Sequence, residues 1–243
     1  MKIETITNPW LNITPDNIAA CDAEFFDSYG SLRKYEEFIN KSKTEVELTF
    51  SCLPDPFCGN PQSKLYCLNK NPGEPDMCFA NSEAYKEATL KNLRLEQDTC
   101  FWAEHIKNEC GKVHAGVNWL KSRTKQIGQI LHQQPDIFFV EYFPYHSTKG
   151  FDFPECLPSY KFSNKLIEKA MSEGKLILIM REKAKWLKRI TGLEDYPNLY
   201  SLKCAQGGYL TPKNIVREGT CIPLTDKEIK EYFKLLVSDK KMS

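Results

Sequence analysis

The sequence predicts an α/β protein: a three-layer sandwich with a central, mainly parallel four-stranded sheet flanked by helices. Three observations predict it. Four short apolar runs, at residues 65–68, 137–143, 176–180 and 199–202, are each bounded by turn residues. Between them lie segments with helical spacing of apolar residues, and strands alternating with helices read as βαβ units around a sheet buried on both faces. The 243 residues, 41% of them hydrophobic and 27% charged, suffice for one sizeable core and exclude a disordered or collagen-like chain.

No repeat or low-complexity tract divides the chain, so residues 1–243 read as a single domain. Residues 1–60 form an N-terminal wrapping segment rather than core, with a helical stretch at 25–39 and a Pro- and Cys-rich loop from Cys52 to Pro61. Residues 61–217 form the core. Its helical patterns fall at 82–95, running on toward 106, and at 117–132, 164–172 and 183–190. Residues 218–243 supply a C-terminal helix. Thr225-Asp226-Lys227-Glu228 is a capping box, followed by Ile229, Tyr232, Phe233 and Leu236 at helical spacing, and the final Lys-Lys-Met-Ser reads as a tail.

Lys and Arg number 33 against 32 Asp and Glu, so a polybasic coat is excluded and any anion-binding surface is a local patch. The apolar runs are too short to cross a bilayer, and the N-terminus does not lead into an apolar stretch, so neither a membrane anchor nor a secretory signal is expected. A cytoplasmic, reducing setting follows, in which the ten cysteines read as free thiols.

In such folds ligands bind beyond the carboxyl ends of the parallel strands. After the first strand, Asn71-Pro72-Gly73 forces a sharp turn; Asn71 there either holds a water or ligand carbonyl or belongs to a plain turn. After the second, Glu141, Tyr142, Phe143, Tyr145 and His146 crowd one end of the sheet, as a planar ligand such as a base requires, or as a salt-bridged carboxylate among core aromatics. After the fourth, Gln206-Gly207-Gly208-Tyr209 lets backbone approach a ligand, with Lys203, Lys213 and Arg217 placed to meet phosphates; an ordinary glycine turn is the alternative.

Taken in order, these motifs resemble the uracil-DNA glycosylase superfamily, particularly its mismatch-specific and single-strand-selective branches. The first motif of those branches is a strand running into Gly-x-Asn-Pro-Gly. Here Leu65-Tyr66-Cys67-Leu68-Asn69-Lys70-Asn71-Pro72-Gly73 is similar to it, with Asn69 in place of the leading Gly, and Gly59-Asn60-Pro61 precedes the strand. The resemblance spans about residues 55–217. It implies a DNA glycosylase that flips a modified or deaminated base out of DNA and hydrolyses its glycosidic bond; the lack of a lysine at an evident nucleophile position makes it monofunctional, and a role in defence against phages with modified cytosines, beside one in repair, rests on Glu141 alone. On this resemblance Asn71 orients the attacking water, Pro72 and Gly73 shape the turn, and Phe79 stacks on the base. From the residues themselves, His146 either stabilises the leaving base in place of the family's fourth-loop His or caps its own loop, and Lys203, Gln206, Gly207, Gly208, Tyr209 and Lys213 are expected to meet DNA, with Tyr209 or Leu210 as the wedge.

Two departures carry information. The family commonly reads uracil with an Asn at the end of the second strand, where this chain has Glu141 and Tyr142; a carboxylate suits an exocyclic amino group, so a 5-substituted cytosine stands beside uracil as the expected base. The fourth loop, Cys204 to Leu210, brings no His. These altered loops also fit a glycosylase-fold module that binds DNA, nucleotide or protein without chemistry. Cys52, Cys58, Cys100 and Cys110 match no cluster spacing, so neither metal nor cofactor is expected, and the protein is expected to act as a monomer.

Overall fold

The computed structural model describes residues 7–29, 32–42, 47–80, 82–149, 151 and 153–234. In chain order its elements are α1 (Ala23–Asp27), α2 (Leu32–Ser42), β1 (Leu48–Thr49), β2 (Phe57–Cys58), β3 (Leu65–Leu68), α3 (Met77–Ala80), α4 (Glu83–Leu93) and α5 (Ala115–Leu131). There follow β4 (Phe138–Val140), β5 (His146–Ser147), α6 (Tyr160–Ser172), β6 (Leu176–Ile179), α7 (Lys183–Arg189), β7 (Leu199–Leu202), β8 (Ile215–Arg217) and α8 (Asp226–Tyr232).

The sheet has six strands in the order β2-β4-β3-β6-β7-β8, two more than expected. The four expected strands are its centre and run parallel to their neighbours, while β2 and β8 are antiparallel edges. β2 and β8 are too short to show alternation, which hid them. A separate ribbon pairs β1 with β5. β4 stops at Val140 rather than 143, because Glu141 N turns to Pro56 O and Phe143 N to Lys70 O.

Successive strand side chains point to opposite faces, and two apolar cores result. Tyr66, Leu68, Phe138, Val140, Ile177 and Ile179 pack with Phe162, Ile167 and Ala170 of α6 and Trp186 of α7. Leu65, Cys67, Ile137, Phe139, Leu176 and Leu178 pack with Val117, Leu120 and Ile127 of α5 and Ile229 of α8. Each fully buried aliphatic or aromatic side chain contributes about 1.5–3 kcal/mol.

The expectation that the first 60 residues wrap without joining the core is corrected. Trp10, Ile18, Phe26, Tyr35, Leu48, Phe50 and Phe57 are all buried in the first core. A carboxylate pins this segment: Asp22 is fully buried and accepts Ser159 N at 2.9 Å, Ser159 Oγ at 2.7 Å and Tyr145 Oη at 2.8 Å. Three donors meet the hydrogen-bonding demand of a group that burial alone would penalise. The stretch at 25–39 forms two helices in place of one, as Ser28 Oγ folds back to Phe25 O at the end of α1. The helix at 82–95 ends at Leu93, with turns and no helix to 106, and α6 starts four residues before the expected 164. Leu236 and the final Lys-Lys-Met-Ser lie outside the described residues.

Candidate active site

The loops after all four parallel strands open onto one cleft of about 1110 Å³. It is lined by Asn69–Glu74 after β3, Glu141 after β4, Arg181 and Glu182 after β6, and Ala205 after β7. Its wall is aromatic: Tyr85 of α4, Trp102, His114 and Trp119 of α5.

The Asn71 amide donates to Ser147 O and Ser147 Oγ, each at 3.0 Å. A carbonyl only accepts, so the amide nitrogen faces Ser147 and Oδ1 is left as an acceptor. Among the described residues Oδ1 has no hydrogen-bond partner, and the side chain is half-buried in the cleft wall. This geometry lets Oδ1 accept a hydrogen bond from a water in the cleft.

Glu141 accepts from Asn69 Nδ2 at 3.0 Å through Oε1, while Oε2 is sealed and unpartnered. Burial is the main cause that pushes its carboxyl up to about 8, against the opposing bond from Asn69. Asp55, on the loop before β2, also presents a sealed, unpartnered Oδ1, and burial pushes it up to about 7. Lys70 Nζ stands 3.9 Å from Glu182 Oε1 within the same lining. His114 caps α5: its Nδ1 accepts Gly116 N at 3.1 Å, which leaves the ring proton on Nε2, and burial pushes its pKa down. The ring stacks on Tyr85 with centroids 4.8 Å apart.

Several expected residues stand elsewhere. Tyr142 follows Glu141 by one position and so faces the other side, buried beneath Arg189 with the guanidinium carbon 3.3 Å from its ring centre. Phe79 is buried behind Tyr85 and His114 and does not line the cleft. Tyr85, on α4, is the ring that does. His146 lines an adjoining cavity of about 700 Å³, where its Nδ1 donates to Gly73 O at 3.1 Å; burial pushes it down to about 4. It therefore braces the Asn-Pro-Gly turn.

The glycine loop forms the rim. Asn214 ties it to Cys204 and Tyr209, and Arg181 donates to Gln206 O at 2.6 Å. A Cβ on Gly207 would lie 2.6 Å from the exposed Tyr209 ring, so a larger residue there would displace that ring. Lys203, Gln206, Tyr209 and Lys213 are exposed and Gly208 is buried, whereas Leu210 is fully buried and cannot serve as the wedge. Arg123 lies 4.2 Å over the Tyr209 ring. Arg217 is directed away, to Pro197 O at the amino end of β7.

Reading the sequence missed Asp55, Tyr85, Trp102, His114 and Trp119. Only Asp55 carried a signal, as a carboxylate between two prolines just before Phe57-Cys58-Gly59. All ten cysteines are free, no cluster of metal-ligating side chains occurs among the described residues, and none of their helices is long and apolar enough to cross a membrane. No family model, no curated protein and no solved structure matches the chain.

Proposed function

We propose that this protein is a monofunctional DNA glycosylase that flips a modified or deaminated base, of uracil or 5-substituted cytosine type, into the cleft and hydrolyses its glycosidic bond. One observation carries the reading: Asn71 and Glu141, at the ends of adjacent parallel strands, meet in one aromatic-walled cleft. The parallel centre β4-β3-β6-β7, with an apolar core on each face, supports a uracil-DNA glycosylase-like sandwich as the finer description of the fold.

Glycosidic cleavage passes through an oxocarbenium-like state, so positioning a water and stabilising the departing base are the main tasks. Asn71 Oδ1 accepts from the water and aims it at the sugar carbon as the bond to the base lengthens. The base departs as an anion, with the Nε2–H of His114 a donor within the same lining, and the proton that the attacking water sheds passes to solvent or to the departed base. Tyr85 offers a face for stacking. Lys70, paired with Glu182, is not drawn on as a nucleophile, which keeps the reaction hydrolytic. Repair and defence against modified phage DNA are both settings for such an enzyme.

A second reading has its own observation: the loop after β7 brings no His, and His146 is turned to Gly73 O. It makes the protein a module that binds DNA without cutting. The deciding experiment incubates the protein and Asn71→Ala with oligonucleotides carrying uracil, other deaminated bases or 5-substituted cytosines, then looks for alkali-labile abasic sites. Release of one base by the parent and not the variant is expected. Unchanged binding by both with no release selects the module.

A further inference from the structure

The cleft lining holds two sealed carboxyl oxygens without partners, Glu141 Oε2 and Asp55 Oδ1. Buried polar groups are nearly always hydrogen-bonded, so two in one lining call for a ligand that completes them. The two carboxyls are neighbours by construction. Pro56, next to Asp55, accepts Glu141 N at 2.9 Å, and Phe57 pairs with Val140 across β2 and β4. Both side chains are half-buried, and carboxyl groups turn readily about their terminal bond, which brings a sealed oxygen to the cleft.

We propose that Asp55 and Glu141 act together as a paired-carboxyl reader, each accepting one hydrogen of an exocyclic amino group, so that the cleft selects a cytosine-type base over its keto, uracil-type counterpart. An amino group has two hydrogens, and two acceptors from separate elements match them. A keto oxygen in the same place meets two acceptors and binds only if a carboxyl keeps its proton and donates it. The inference rests on the base-binding reading above and names its substrate class.

This chemistry has a pH signature. Burial pushes Asp55 up to about 7 and Glu141 up to about 8, so both ionise across the neutral range. The other titratable groups in the lining are neutral there: burial pushes Tyr85, Cys58 and Cys100 up and His114 down. The charged groups that share the cleft are Lys70, Glu182 and Arg181, with Glu74 and Lys149 at the exposed mouth, and on the Asp55 side the adjoining cavity adds Asp76, Glu83, Lys86 and Glu87 beside Cys52, pushed up by burial, and His146, pushed down by it. Raising the pH removes the proton a keto base needs and leaves the acceptors an amino base uses. The lost proton passes to solvent.

The test measures binding, by fluorescence anisotropy, of oligothymidine strands carrying one 2′-fluoroarabino-cytidine or one 2′-fluoroarabino-uridine, whose sugars resist hydrolysis. The cytidine strand is expected to bind about tenfold more tightly, a margin that widens as pH rises from about 7 to about 8. Glu141→Gln and Asp55→Asn, which replace one of two acceptor oxygens by a donor NH2 and remove the titration at nearly constant shape, are each expected to erase the margin and its pH dependence. Equal binding of the two strands at both pH values, including no binding of either, overturns the inference, as does a margin kept by both variants. Failure to release any base while the margin holds would sink hydrolysis alone. Release of uracil without the margin would sink the amino-group reader alone.

Discussion

Asn71 is held from one side only. Ser147 supplies both acceptors for its amide nitrogen, through backbone O and side-chain Oγ, so Ser147→Ala removes half of what fixes the orientation of Oδ1. Base release is expected to fall about tenfold in single-turnover assays with DNA affinity unchanged, the pattern of a positioning defect. Glu141 makes the opposite prediction for stability. Its carboxyl titrates near 8 when folded and near the ordinary value when unfolded, so the folded state holds a proton that the unfolded state releases. Stability therefore falls as pH rises from about 4.5 to about 8, and Glu141→Gln is expected to raise it by about 1–3 kcal/mol near pH 8 in urea titrations. Asn71, Pro72, Gly73 and Glu141 were legible because each follows a strongly apolar strand. Tyr142 and Phe79 were misplaced for a geometric reason: one position along an extended chain reverses the face, and a short helix turns a ring away. Asp55, Trp102 and His114 come from loops and a helix start, where no periodicity marks a direction.

The four central strands were legible as elements because burial on both faces leaves uninterrupted apolar runs. α8 was legible from its cap, and the structure shows both halves of the box, with Thr225 Oγ1 accepting Glu228 N and Glu228 accepting Thr225 N. Thr225→Ala is expected to lower stability by about 1 kcal/mol, read from the denaturant midpoint. Two-residue strands such as β1, β2 and β5 cannot be read from pattern, since their pairing is set by distant partners. Gly59, just after β2, has φ +113°, and a Cβ there would lie 2.4 Å from Ile137 O. Gly59→Ala must shift the β2–β4 edge that carries Asp55 and Glu141, with an expected loss of about 2 kcal/mol or more in thermal unfolding.

At the scale of the whole molecule, a formal charge of +1 means that the proposed DNA binding would draw on a few cations, Arg181 in the cleft lining and Arg123, Lys203 and Lys213 on or beside the glycine loop. The logarithm of affinity against the logarithm of salt concentration is expected to fall with a slope of about −3, and titrations at several salt concentrations read it directly. Folding order is where the buried Asp22 carboxylate has its largest consequence. Its acceptor bonds reach Ser159, 137 residues further along the chain, and Tyr145, 123 residues along. During synthesis the segment bearing Asp22 and Asp55 is made before either partner exists, so the Asp22 bonds close only after residue 159 has been made. The lip of the cleft is thus assembled from segments made far apart in time, the loop bearing Asp55 and the loops after β6 and β7, and it closes only once all of them are present.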